Sequence, residues 1–133
     1  MAQGMAERLG ILLISGGHER AHYAFVLAAG AAAVGREVCL FATNAGCLAL
    51  LQDWSALDGA ARDSAVRAAG VAGLDELREA AAELGVRLMV CDAGLRMAGL
   101  DAGVKSAPLW RGVEVAGVPS FLSATAGGQI ITL

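Results

Sequence analysis

The sequence predicts an α/β domain built on a mainly parallel sheet. Short apolar runs of strand length alternate with helix-forming stretches along the chain. Those runs are continuous rather than alternating, the pattern of strands buried on both faces. The length, 133 residues, is that of one domain, read here as spanning 1–133.

The elements follow in order. Leu9-Gly10-Ile11-Leu12-Leu13-Ile14 is a first buried strand, and Ser15-Gly16-Gly17-His18-Glu19 turns the chain. Arg20 to Val34 forms a helix that is apolar on almost every side, which predicts cover from several directions, and Gly35 ends it. Glu37 to Ala42 is a second strand, closed by Thr43-Asn44-Ala45-Gly46, with a brief helix over Cys47 to Leu51. Residues 52–72 mix Asp, Gly, Ala and Arg around Trp54 and read as a loop or short helix. From Gly73 to Leu84 the pattern is amphipathic, with Leu74, Leu77, Ala81 and Leu84 on one face. Val86 to Val90 is the third strand, with Cys91 at its carboxyl end and a short helix just beyond. Val113 to Val115 is a brief extended piece, Pro119 opens a helix running to Thr125, and Gln129 to Leu133 is the last strand.

Composition excludes several classes. Net charge is −3, Lys105 is the only lysine, and no Lys/Arg cluster marks a nucleic-acid surface. Hydrophobic residues make up 56 % and mean hydropathy is +0.58, more apolar surface than one small domain needs. A membrane is a poor outlet for it. The uncharged helical stretch Ala21 to Gly35 is 15 residues long, whereas a spanning helix needs about 20. Glu7 and Arg8 precede an apolar segment too short for a signal peptide. A cytoplasmic chain that associates with itself is expected. The three cysteines form neither a disulfide framework nor a CxxC pair.

In a parallel sheet, ligands bind beyond the carboxyl ends of the strands. Three polar segments meet that condition: Ser15 to His18, Thr43 to Cys47, and Cys91 to Gly94. They are expected to form one pocket. Its candidate binding residues are Ser15, Gly16, Gly17, His18, Thr43, Asn44, Asp92 and Gly94. The two glycines suit a backbone nest for an anion, or simply a tight turn. His18 and His22 share a helical face, but no third ligand lies near them, so no metal site is expected. Cys91 lies where unpaired helix N–H groups favour thiolate over thiol, and is the candidate nucleophile. The alternative is an inert core cysteine. Asp92 opposes activation of the thiol unless its carboxylate points away, and is itself a candidate helix cap. Cys47, after Gly46, is a candidate second thiol, while Cys39 is expected in the core.

Cys91 to Leu100 resembles the C-x-x-x-x-x-M-G segment of the DsrE/DsrF-like (YchN-like) family, with Ala98 set before Gly99 here. Ile11 to Gly16, the Ala-rich first helix, Val38 to Gly46, and Gly112 to Val118 match as well. Asp92-Ala93-Gly94 departs from the polar or Ser-containing residues of relay members. The resemblance implies a flavodoxin-like three-layer α/β/α fold with a sheet of about five strands. It further implies trimers or hexamers and a cysteine at position 91 that carries persulfide sulfur in relay members; no cofactor is expected. A sulfur-carrier or sulfurtransferase-like protein is thus the first functional expectation, with sulfur donor and acceptor proteins as partners. A non-catalytic module for a small anion or nucleotide-like ligand is the second. A thiol redox protein using Cys91 and Cys47 is the third.

Overall fold

The apolar runs pair side by side into one sheet. In the computed structural model, which describes residues 7–100 and 108–133, the chain runs β1 (Arg8–Leu13), α1 (His18–Ala33) and β2 (Glu37–Ala42), then a 3-10 helix (Asn44–Leu50). It continues through α2 (Arg62–Ala68), α3 (Leu74–Glu83), β3 (Arg87–Cys91) and α4 (Asp92–Met97), and closes with β4 (Glu114–Ala116), α5 (Val118–Ala124) and β5 (Gln129–Thr132). Residues 1–6, at the amino end judged above, and Lys105 lie outside the described residues. All five strands are parallel, in the order β4-β3-β2-β1-β5.

That order dictates the layers. From β1 to β4 the chain steps in one direction across the sheet, and right-handed crossovers then put the intervening helices on one face. The return from β4 to β5 crosses the other way, so α5 must lie on the opposite face. The packing agrees. Leu9, Ile11, Leu13, Val38, Leu40, Leu88 and Val90 meet Ala21, Ala24, Phe25, Leu74, Ala81 and Leu95 from α1, α3 and α4. On the other face Cys39, Phe41, Met89 and Cys91 meet Phe121 of α5, whose ring stacks on Phe41 with centroids 4.9 Å apart. The fold is the flavodoxin-like three-layer arrangement, with a thin third layer.

Two local expectations need correction. The α1 helix begins at His18 rather than Arg20, and only one seam of it is buried: His18, Ala21, Ala24, Phe25 and Ala28. Tyr23 and Val34 are 54 % and 78 % exposed, so cover from several sides is not found among the described residues. Small side chains let one face of α1 approach the sheet closely without wrapping the rest. The helix expected over Cys47–Leu51 is a 3-10 helix starting earlier, at Asn44. Asn44 enters it with a φ of 51°, a left-handed turn that asparagine tolerates better than most residues. The 52–72 stretch, read as a loop or short helix, contains the seven-residue helix α2 between loop segments.

Gly46 and Gly30 give a sharp test of this packing. A Cβ at Gly46 would lie 2.2 Å from the Leu13 carbonyl oxygen, whereas nothing lies within 4 Å of one at Gly30. Gly46→Ala is expected to cost about 1–3 kcal/mol, the usual range for overpacking. Gly30→Ala, in a helix interior, is expected to gain about 0.5–1 kcal/mol. Urea denaturation of both variants checks the opposite signs.

Candidate functional site

Cys91 ends β3 and caps α4. The register puts it beside Ala116 of β4, and its side chain is 5 % exposed. As the N-cap residue it holds its Sγ 3.4 Å from the backbone N–H of Gly94, which donates to the sulfur. The expected cap, Asp92, instead occupies the first turn. Its carboxylate takes a 2.7 Å bond from Arg96 on the exposed side of α4, where an ion pair neutralises it locally.

Gly94 also sets how α4 meets β2. A Cβ there would fall 2.5 Å from the Thr43 hydroxyl and 2.6 Å from the Asn44 nitrogen, so only glycine lets α4 lie on the end of β2. Thr43, Asn44 and Gly94 are therefore brought together beside Cys91. Farther along α4 a cleft of about 360 Å³ opens, lined by Asn44, Ala45, Leu48, Met97 and Ala98.

Burial weighs on the other two thiols as well. Burial pushes Cys39 up to about 11 despite the nearby Arg87 guanidinium. Burial first, and the neighbouring Cys91 second, push Cys47 up to about 12. Neither holds an appreciable thiolate at neutral pH. Cys47 is fully enclosed, with its Sγ 3.8 Å from the Ala42 carbonyl oxygen.

The turn from Ser15 to His18 is used differently from what its glycines suggested. The Ser15 hydroxyl accepts the Gly17 N–H at 3.0 Å. Asp58 pairs with this turn on both sides: its N–H donates to the Gly16 carbonyl, and its carbonyl accepts the His18 N–H, each at 2.8 Å. These amides are consumed inside the fold and do not converge on an open nest. A Cβ on Gly16 would lie 2.7 Å from that of Ala45, so close packing against the β2 loop is the reason for glycine there.

His18 is fully buried. Its Nε2 lies 2.8 Å from Asp63 Oδ1 and its Nδ1 lies 3.3 Å from Arg62 Nη1. Arginine only donates, so Nδ1 accepts and Nε2 carries the proton toward the carboxylate. His22 stacks on His18 with centroids 5.6 Å apart, and its own Nε2 lies 2.8 Å from the Ala72 carbonyl oxygen. Both Nε2 atoms already have partners, and no group of three metal-binding side chains occurs among the described residues.

Residues 52–72 thus supply Asp58, Arg62 and Asp63, which sequence reasoning missed because no periodicity marks that stretch. A histidine four residues before another on an apolar helix was the one available signal that a buried partner was required. The cleft residues Leu48, Met97 and Ala98 were missed as well, because they read as ordinary helix positions.

Asp63 also accepts the Leu74 N–H at 2.9 Å, tying α2 to the start of α3. Burial pushes its carboxyl upward, but bonds from His18 and Leu74 and the charge of Arg67 outweigh burial and hold it below the ordinary 3.8. The resulting stability is fully present above that ordinary value and is lost as pH falls through the lower folded value. Thermal melts from pH 7 to pH 2 are expected to show this loss, and Asp63→Asn should flatten it. At neutral pH Asp63→Ala should cost about 1–3 kcal/mol by leaving buried donors unpaired.

Among the described residues no helix is long and apolar enough to cross a membrane. Comparison with protein-family models finds a match to the DsrE/DsrF-like family over residues 8–133. Comparison with curated proteins finds no match.

Proposed function

The chain belongs to the DsrE/DsrF-like family, and from that premise we propose that it is a cytoplasmic sulfur carrier of the sulfurtransferase type that holds persulfide sulfur on Cys91. The observation that carries the reading is the Gly94 N–H directed at Cys91 Sγ from 3.4 Å at the carboxyl edge of the sheet. A backbone donor at that place stabilises negative charge on sulfur, whether thiolate or persulfide. The neutralised Asp92 and the raised Cys39 and Cys47 thiols support the same assignment. Three free cysteines suit a reducing compartment. Sulfur would arrive from a donor protein or small persulfide and leave to an acceptor thiol.

The partner surface proposed for self-association is the α5 face. Val118 and Leu122 of α5 are about half exposed, at 50 % and 51 %. Ile130 pairs with Gly10, whose Cα faces Phe121, so Ile130 belongs to the same face and is 44 % exposed. One seven-residue helix leaves much of this side of a five-stranded sheet to be covered by another copy. A trimer or hexamer is the expected assembly.

Three measurements test these readings. Incubation with a sulfane-sulfur donor should add about 32 Da, the mass of one sulfur, to the peptide bearing Cys91, and Cys91→Ser should abolish it. Labelling of Cys39 or Cys47 before Cys91 by iodoacetamide at pH 7 would remove the nucleophile from the proposal. Light scattering should give a multiple of 13.4 kDa, and Leu122→Glu should reduce it toward the monomer.

A further inference from the structure

A cavity of about 290 Å³ lies at the amino ends of β1, β2 and β3, the opposite edge of the sheet from Cys91. Its lining brings Arg8, Glu37 and Arg87 together with Cys39, and Ser123 and Ala124 of the last turn of α5 close it. The register explains the convergence. Arg8 stands beside Glu37 and Cys39 beside Arg87, and residues in register on parallel strands point to one face. Cys39 packs in the cluster under α5, so these side chains share the α5 face. Glu114 of β4 extends the row, taking bonds of 2.7 Å from Arg87 Nε and 3.2 Å from Arg87 Nη2. From β1 to β4 the charges therefore alternate: Arg8, Glu37, Arg87, Glu114. Arg8 Nη1 donates to the Ala126 carbonyl at 3.2 Å, which orients its guanidinium as the Glu114 pair orients that of Arg87. A guanidinium carries about five N–H donors, so neither contact exhausts its arginine.

We propose that this cavity binds a small zwitterion, an α-amino acid with a short apolar side chain. Its carboxylate lies against the guanidiniums of Arg8 and Arg87, its ammonium against the Glu37 carboxylate, and its side chain on Cys39 and Ala124. A plain anion entering the cavity meets the charge of Glu37, and a plain amine meets two arginines. A ligand carrying both charges gains a charge-assisted bond at each end and leaves the balance of the row unchanged. The volume is near the lower end of small-molecule sites, which suits a molecule of amino-acid size. Val118, Leu122 and Ile130, the patch proposed for self-association, are not among the lining residues. The assignment is independent of Cys91.

The test is a ligand-observed NMR titration of the full chain with L-methionine, N-acetyl-L-methionine and L-methioninamide. These probes carry both charges, the carboxylate alone and the ammonium alone. L-methionine is expected to bind at least about tenfold more tightly than either, since each lost charge removes one charge-assisted bond. Glu37→Gln should bring L-methionine down to the affinity of N-acetyl-L-methionine and leave the latter unchanged. Arg8→Gln should weaken both carboxylate probes without weakening L-methioninamide, and serves if Glu37→Gln fails to fold. Saturating L-methionine should also slow iodoacetamide labelling of Cys39 at alkaline pH. Cys47, in the main core on the other face, should label at an unchanged rate. Equal affinity for L-methionine and N-acetyl-L-methionine would overturn the zwitterion assignment. Failure of L-methionine to bind, or binding that leaves Cys39 labelling unchanged, would overturn the site itself.

Discussion

Three backbone approaches at the carboxyl edge of the sheet leave no space for a Cβ, and the candidate site depends on them. Gly16 lies against Ala45, Gly46 against the Leu13 carbonyl, and Gly94 against Thr43 and Asn44. Each contact locks the connection after one strand onto its neighbour, so the three loops form one packed rim. The last contact has the chemical consequence. Because α4 can lie directly on the end of β2, its first turn starts at Cys91, and the Gly94 amide that makes the contact also points at the sulfur. A side chain at position 94 would lift α4 and separate the donor from the thiol. Packing and electrostatics at this site are thus two results of one missing methyl group.

Buried polar groups hold the rim from outside. Arg78 is 2 % exposed, and its guanidinium donates to the carbonyls of Ala49, Leu51 and Gln52 where the 3-10 helix ends. Trp110 lies over it at 4.9 Å from ring centroid to guanidinium carbon. The orphan carbonyls of a helix end are costly when buried, and a cation buried alone is costlier. Here each supplies what the other lacks. His18, Asp63 and Arg62 do the same for the turn after β1, where three elements meet around one imidazole.

The strands were legible because their composition answers to a single physical demand. A strand covered on both faces must be apolar throughout, and Ile11 to Leu13, Val38 to Ala42 and Leu88 to Cys91 obey it without exception. The position of Cys91 follows from that pattern alone, since a strand's end and a helix's start are local events. Long-range partners were not legible. Nothing near Arg78 in sequence announces carbonyls more than twenty residues upstream, and its place among Leu74, Leu77 and Ala81 reads as a break in an apolar face. The Ser15–His18 turn misled for a related reason. Glycine serves close packing and open nests alike, and the choice lay with Asp58, forty residues away in a stretch without periodicity.

The asymmetry of the sheet puts the thiol on the face proposed for self-association. Cys91 belongs to the smaller cluster on the α5 face, with Cys39, Phe41, Met89 and Phe121, rather than to the main core under α1 and α3. That face is covered by one short helix whose outer residues Val118 and Leu122 remain about half exposed. A protein layer added there would press on Phe121, and through it on the strands that end in the thiol. Cover on this side would lower the local dielectric without approaching the cleft, which lies along α4 on the opposite face. Under the proposed self-association, the α5 face would be buried against another copy while the edge beside α4 would stay uncovered.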